Sequence, residues 1–211
     1  MAAAAPGPTS TYQVDPDRIA LAGPPELARP RVLLIGTALA VLGAVALFAG
    51  LIGTYVAVRA DTIASAGSWL PEEVTIPLTP GSMGMVTLGM SLVTMQWAVS
   101  AIGADDRSNA LVALGLTLLF GVAFVNGTVF LYTQMGLGIR DSAAGVLIYG
   151  VTGAHLAMTV GSLVFTAVMA FRALGGQYAG RDNEGIPAAA LFWYATVAIY
   201  AVIWYAIYIV K

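Results

Sequence analysis

Apolar residues form five long runs along this chain, and those runs carry almost no charge. The runs cover residues 32–58, 79–103, 109–134, 143–171 and 187–210. Roughly 20 helical residues cross a hydrocarbon core of about 30 Å, so each run is long enough to span a membrane. Backbone amides in lipid must be satisfied within their own segment, and the alternation of membrane strands is absent. The pattern predicts an all-α integral membrane protein, a five-helix transmembrane bundle formed by residues 31–211.

Charged residues fall in the gaps between the runs, which we expect to be loops at the water boundary. The N-terminal tail and the second and fourth gaps contain Arg18, Arg29, Arg31, Arg107, Arg172 and Arg181. The opposite side has only Arg59, Arg140 and Lys211. Because basic residues are enriched on the cytoplasmic side, we expect a multi-pass protein of the inner (plasma) membrane with its N-terminus in the cytoplasm and its C-terminus outside.

Residues 1–30 differ in composition from the rest of the chain. They contain Pro6, Pro8, Pro16, Pro24, Pro25 and Pro30. A basic n-region and an apolar h-region are both absent, so this segment does not read as a signal peptide. We predict a flexible, proline-rich arm on the cytoplasmic surface.

Charge and cysteine content narrow the function classes. The formal net charge of −2 argues against a nucleic-acid partner. The chain has no cysteine, which excludes disulfides, thiolate metal sites and a cysteine-ligated copper centre. It also lacks an HExxH motif, a Walker loop and a nucleophile elbow, so we predict no catalytic, cofactor or metal site in this chain.

His155 is the only candidate for redox ligation or proton transfer. Haem ligation by two histidines would need a second ring, and Met158 shares the helix face of His155, whereas axial ligands approach iron from opposite sides. We therefore interpret His155 as a buried, hydrogen-bonded structural histidine.

Other polar and small residues in the spans have structural interpretations. Asn126-Gly127-Thr128 matches a glycosylation sequon, but it lies deep in the third span, so we predict an interhelical hydrogen bond from Asn126. The first span contains glycines at spacings that share a helix face, which indicates close helix packing with partners inside or outside the chain. These are Gly36, Gly43, Gly50 and Gly53.

The last span is rich in aromatic residues, among them Trp193 and Tyr208. At helical spacing they are most simply packing residues and anchors at the membrane interface.

Four groups of residues occur in a fixed order over residues 45–211. They are Phe48-Ala49-Gly50-Leu51 with Tyr55 and Arg59-Ala60; Trp69-Leu70-Pro71; Asp141, Gly145 and Thr152-Gly153-Ala154-His155; and Gly185 to Ala190 with Trp193 and Ile207-Tyr208. In order and spacing they resemble subunit III of the haem-copper respiratory oxidases, the cytochrome c oxidase type, in a divergent five-helix bacterial form.

The resemblance implies a subunit without redox centres. It would pack against oxidase subunits I and II, with haem and copper held by those partners, and would hold phospholipid, stabilise the catalytic subunit and support proton uptake in aerobic respiration. The residues we expect to matter structurally are His155, with Arg59 and Trp69 near lipid headgroups.

Where this chain departs from the family pattern, uncharged residues replace acidic residues or a histidine. Ala44, Leu131 and Val197 occupy positions that are usually acidic in the family, and Met158 and Pro187 replace a histidine and a glutamate. Burying charge is costly unless it is paired, so such groups can be lost together. The chain is expected to keep the family's shape and lose most of its intramembrane charge.

Three alternatives remain open. An accessory subunit of nitric oxide reductase or of another respiratory complex would share the five-helix form. The presence or absence of copper-binding histidines in the neighbouring subunit I would distinguish an oxidase from a reductase. A small membrane transporter would need a polar path at mid-membrane, and five spans do not divide into equal repeats. An independent membrane enzyme would need converging acid, base or metal ligands.

Overall fold

The computed structural model describes residues 31–71, 74–176, 178 and 184–210, and all regular structure in these ranges is helical. The helices are α1 (Val32–Ala66), α2 (Leu78–Gly103), α3 (Arg107–Gln134), α4 (Ala143–Leu174) and α5 (Gly185–Trp204), and α5 continues into a π-helical turn at Tyr205–Ile209. Each is long and apolar enough to cross a membrane, with mean hydropathy between 1.5 and 2.6. The predicted fold class is confirmed. The predicted N-terminal arm at residues 1–30, the acidic pair at 72–73, residue 177, residues 179–183 and Lys211 lie outside the described residues.

The helices extend beyond the apolar runs. Arg59 and Asp61 lie within α1, Arg107 is the first residue of α3, and Arg172 lies in the last turn of α4. The prediction that these charges lie in loops was wrong. A helix ends where a residue leaves the helical backbone conformation, and this position need not coincide with the boundary between hydrocarbon and water. α1 stops at Gly67, whose φ of 78° closes the helix in the left-handed conformation that glycine adopts most easily.

A tight turn joins α2 to α3. Asp105 has a φ of 59°, and Asp106 caps α3 by accepting hydrogen bonds from the backbone and side-chain nitrogens of Asn109 at 3.1 and 2.6 Å. These bonds hold the pKa of the Asp106 carboxyl below its ordinary value. The cap orients α2 and α3 as antiparallel neighbours.

Helices α2, α3, α4 and α5 form a closed ring in which each packs against the next, and α5 returns to α2. α1 lies outside the ring against α4 and α5. In the apolar window of α5 56% of residues are buried, compared with 11% in α1. α5 is therefore the central element and α1 the most exposed.

The glycines of α1 do not mark packing inside the described chain. A Cβ added at Gly36, Gly43, Gly50 or Gly53 would meet nothing within 4 Å. Close packing of these residues within the chain was therefore a wrong interpretation, because they face away from α4 and α5. The alternative of a partner outside the chain stays a prediction.

The bundle has two apolar clusters, one toward each end. The cluster at the end containing Asp106, here called the Asp106 end, is built around Leu88, Met95, Leu114 and Trp193. The cluster at the opposite end, the Arg59 end, includes Phe48, Tyr55, Trp69, Ile148 and Tyr208. Because α5 contributes to both clusters, it connects the two halves of the core.

Candidate functional site

His155 lies in the interior of the bundle, where α4 faces α5. Its side chain is 2% exposed, and Nε2 lies 2.9 Å from the backbone carbonyl oxygen of Thr196. A carbonyl oxygen only accepts hydrogen bonds, so Nε2 carries the proton and donates it. The bond ties α4 to α5 across the membrane interior.

Aromatic rings enclose His155. The ring centroids of Phe48, Phe124 and Tyr200 lie 6.0, 5.7 and 5.2 Å from that of the imidazole. With Nε2 bonded to the main chain and three rings beside it, this residue does not fit the axial position of a haem. Among the described residues, no three His, Cys, Asp or Glu side chains gather where they could hold a metal ion.

Trp193 connects α5 to α2 at the middle of the bundle. It is fully buried, and its Nε1 donates to Ser91 Oγ at 2.9 Å. The indole also packs closely against α3, because a Cβ added at Gly121 would lie 2.6 Å from Trp193 Cη2. Only glycine at position 121 leaves room for the indole, so Trp193 brings three helices together.

A second contact between α5 and α2 lies toward the Arg59 end. Tyr200 donates its hydroxyl hydrogen to the carbonyl oxygen of Gly81 at 3.0 Å. The ring of Tyr208 packs against the same glycine, where an added Cβ would be 2.7 Å from the ring. Tyr208 is 2% exposed, so it packs inside the bundle.

Arg59 and Trp69 lie together at the Arg59 end. Arg59 Nη2 donates to the carbonyl oxygen of Val210 at 2.8 Å, which ties α1 to the end of α5. Trp69 packs edge-on against Tyr55, with centroids 5.5 Å apart. Arg59 Nε and Trp69 Nε1 are buried without a hydrogen-bond partner among the described residues. The expected position of both residues near lipid headgroups stays a prediction.

Asn126 lies on the outer surface of α3, and none of the described residues hydrogen-bonds its side chain. The predicted interhelical hydrogen bond is therefore wrong within the described chain. Phe124 and Leu131 face the core and fix the rotation of α3. Asn126, two residues after Phe124, is turned about 200° away from it.

Ala44, Leu131 and Val197, the three positions that are usually acidic in the family that this chain resembles, face the interior of the bundle. Leu131 and Val197 are 3% and 2% exposed, and Ala44 is half-buried against the cluster at the Arg59 end. Apolar packing fills these positions. In the described interior of the bundle, the neutral hydrogen bonds of His155, Trp193 and Tyr200 tie α5 to its neighbours.

Several interhelical hydrogen bonds were missed by the sequence reasoning. Thr94 and Thr117 join α2 to α3 with hydroxyl oxygens 2.8 Å apart, and Tyr132 donates to Thr152 Oγ1 at 2.9 Å between α3 and α4. Serine and threonine commonly bond across membrane helices. The sequence therefore contains the donors, but not which helix each one faces.

The sequence model of one protein family, described as cytochrome c oxidase subunit III, matches residues 20–211 of this chain. This protein belongs to the cytochrome c oxidase subunit III family. The resemblance read from the order and spacing of the motifs is thereby confirmed.

Curated proteins named cytochrome c oxidase subunit 3 are similar to this chain. The protein of Synechocystis sp. is 26% identical over 184 residues, which are 85% of this chain and 76% of the relative. The protein of Strongylocentrotus purpuratus is 28% identical over 144 residues, 67% of this chain and 55% of the relative. That of Cyprinus carpio is 29% identical over 153 residues, 71% and 58% respectively. The chain thus spans little more than half the length of the two animal relatives.

This chain combines a bundle of five helices long enough to span a membrane with apolar side chains at Ala44, Leu131 and Val197. Its single buried imidazole acts as a hydrogen-bond donor between helices.

Proposed function

We propose that this chain is the non-redox-active subunit III of a haem-copper terminal oxidase, and that it stabilises the catalytic subunit I in aerobic respiration. The family match over residues 20–211 carries this proposal. Subunits I and II are its proposed partners. The complex would oxidise cytochrome c, reduce oxygen to water and translocate protons.

The hydrogen bonds within the bundle support a structural role. α5 is tied to α4 by His155 and to α2 by Trp193 and Tyr200. Such ties restrict helix movement, which suits a subunit that presents a fixed surface to a partner. Haem and copper belong to the partner subunits in this proposal, because the surroundings of His155 do not fit an axial ligand.

Proton uptake would be supported indirectly. With alanine, leucine and valine at the usually acidic positions, the chain offers no carboxylate there to move a proton. It would act by holding the catalytic subunit and its surrounding phospholipid in place. Arg59 and Trp69 at the Arg59 end are the residues proposed to lie near the lipid headgroups, since arginine and tryptophan favour that region.

The proposed location is the plasma membrane, with the Asp106 end in the cytoplasm and the C-terminus outside. Among the described residues, Arg31, Arg107 and Arg172 lie at the Asp106 end, compared with Arg59 and Arg140 at the opposite end. This bias is the pattern expected of cytoplasmic loops.

Purification of the tagged chain from its native membrane in mild detergent tests the proposal. We expect mass spectrometry to find a copper-ligand-bearing subunit I together with subunit II, and a reduced-minus-oxidised spectrum to show haem bands. Membranes containing the untagged chain are the matched control. Isolation of the chain alone, or with a copper-free reductase subunit as the nitric oxide reductase alternative requires, would overturn the proposal.

A further inference from the structure

α1 lies outside the closed ring of the bundle. α2, α3, α4 and α5 close on one another, and α1 packs from outside against α4 and α5. Three of its 35 residues are buried, Thr37, Phe48 and Tyr55, and their spacing places them in a single stripe along the helix. An apolar helix gains little by leaving lipid tails for another helix, so this stripe holds α1 weakly in a membrane.

Two hydrogen bonds of charged side chains attach α1 to α5, one near each end. The Glu184 carboxylate, just before the first residue of α5, accepts from the backbone nitrogen of Leu34 at 2.8 Å. Arg59 Nη2 donates to the carbonyl oxygen of Val210, also at 2.8 Å. Among the described residues, these two bonds are the ones that join α1 to the rest of the bundle.

Each bond satisfies a helix end of the opposite helix. Leu34 is in the first turn of α1, where N–H groups lack partners within the helix, and Arg31 supplies no side-chain cap there. The Glu184 carboxylate supplies the cap, and its negative charge suits the positive end of the helix dipole. Val210 follows the last turn of α5, where the carbonyl oxygens are unpaired and the positive charge of Arg59 is favourable.

α1 and α5 run parallel, since the bonds join start to start and end to end. Leu34 and Arg59 are 25 residues apart, and Glu184 and Val210 are 26 apart, which correspond to about 38 and 39 Å along a helix. Because the two lengths match, both bonds form at the same axial position of α1, and a slide of one helical turn, about 5.4 Å, breaks both. Parallel helices also place like ends of their dipoles side by side, and the two charges offset this repulsion.

We propose that Glu184 and Arg59 form a reciprocal clamp that holds α1 on the bundle, and that α1 is a releasable helix once the clamp is open. Phe48 of α1 packs against His155, with ring centroids 6.0 Å apart. Release of α1 therefore uncovers one side of the buried imidazole and leaves the ring of α2 to α5 closed. The clamp does not depend on the proposed oxidase role.

Distances between two spin labels, measured by pulsed electron paramagnetic resonance, test the clamp. The chain has no cysteine, so labels attach only where one is introduced. The first pair is Leu42→Cys on α1 with Val202→Cys on α5, whose side chains are 64% and 52% exposed. The second pair, Val93→Cys on α2 with Val202→Cys, reports on the ring. Both would be measured in the full chain in lipid nanodiscs, with Glu184 and Arg59 either unchanged or both replaced by alanine.

We expect one narrow distance between α1 and α5 in the clamped chain. In the double variant Glu184→Ala with Arg59→Ala this distance should broaden, and its mean should shift by about 5 Å, one helical turn. The distance between α2 and α5 should not change. Glu184→Gln keeps an acceptor oxygen for the Leu34 amide, so it should shift the distance less than Glu184→Ala.

Asp61→Ala with Arg140→Ala is the matched control, because it removes the same two charges from exposed side chains. It should keep the narrow distance between α1 and α5. An unchanged distance in the double variant of Glu184 and Arg59, an equal shift in the matched control, or an equal shift between α2 and α5 would overturn the proposal.

Discussion

Gly121→Ala adds one methyl group at the most crowded point of the bundle. The new Cβ would lie 2.5 Å from Leu163 Cδ2 and 2.6 Å from Trp193 Cη2. Ordinary carbon contacts are about 3.5–4.0 Å. Leu163 can rotate, because it is only partly buried. Trp193 is fully buried and bonded to Ser91, so it cannot move without breaking that bond.

Two opposing effects set the size of the change. Overpacking a well-packed core costs about 1–3 kcal/mol. Alanine is favoured over glycine in a helix by about 1 kcal/mol. The net expectation is a loss of about 0–2 kcal/mol in the free energy of unfolding for Gly121→Ala. Gly115→Ala is the matched control on the same helix, since its Cβ would meet nothing within 4 Å. It should be neutral or stabilising by up to about 1 kcal/mol.

Titration with sodium dodecyl sulfate, followed by circular dichroism and tryptophan fluorescence, would measure both variants. We expect Gly121→Ala to unfold at lower detergent fraction than wild type, and Gly115→Ala to unfold at the same or a higher fraction. Equal midpoints for the two variants would refute the packing of Trp193 between α2 and α3.

Three further outcomes follow from the same contacts. In the same titration, His155→Leu should lower the free energy of unfolding by about 0.6–1.7 kcal/mol, and it should also weaken assembly with subunit I. His155→Gln should recover part of this loss, because it keeps a hydrogen-bond donor. Full stability and normal assembly of the leucine variant would contradict the role of this bond. Val197→Asp should lower the free energy of unfolding by about 3 kcal/mol, because it places an unpaired carboxyl in an apolar cluster. An unfolding midpoint equal to that of Val197→Leu would argue against this. Because the pKa of Asp106 is lowered in the folded state, its cap stabilises α3 fully above the ordinary carboxyl pKa of 3.8 and is lost as pH falls through the lower folded value. Protection of the Asn109 amide from hydrogen exchange, measured relative to the intrinsic exchange rate at each pH, should therefore fall on acidification in wild type but be low at every pH in Asp106→Ala; unchanged protection in wild type would count against the cap.

The five helices could be predicted from sequence because a membrane requires long apolar helical segments. Their ends could not, since α1 continues past Arg59 until Gly67 stops it. In a membrane protein, an apolar run and the helix that contains it can therefore end at different residues.

The rotation of each helix was the harder problem. In soluble proteins an apolar face identifies the core, but here both the core and the lipid are apolar. The sequence therefore did not indicate that Asn126 faces outward, or that Trp193 would meet Ser91 from a position 102 residues away. His155 was interpreted correctly as hydrogen-bonded, because a single buried imidazole needs a partner wherever its helix turns.

The central claim is that this chain is a structural subunit whose partners hold the metals. It would be tested most directly by purifying the native complex, dissociating this chain with a stronger detergent, and measuring haem and copper in both fractions. The account predicts that all haem and copper remain with the other subunits and that the separated chain contains neither. Haem or copper recovered in stoichiometric amount with this chain would contradict it.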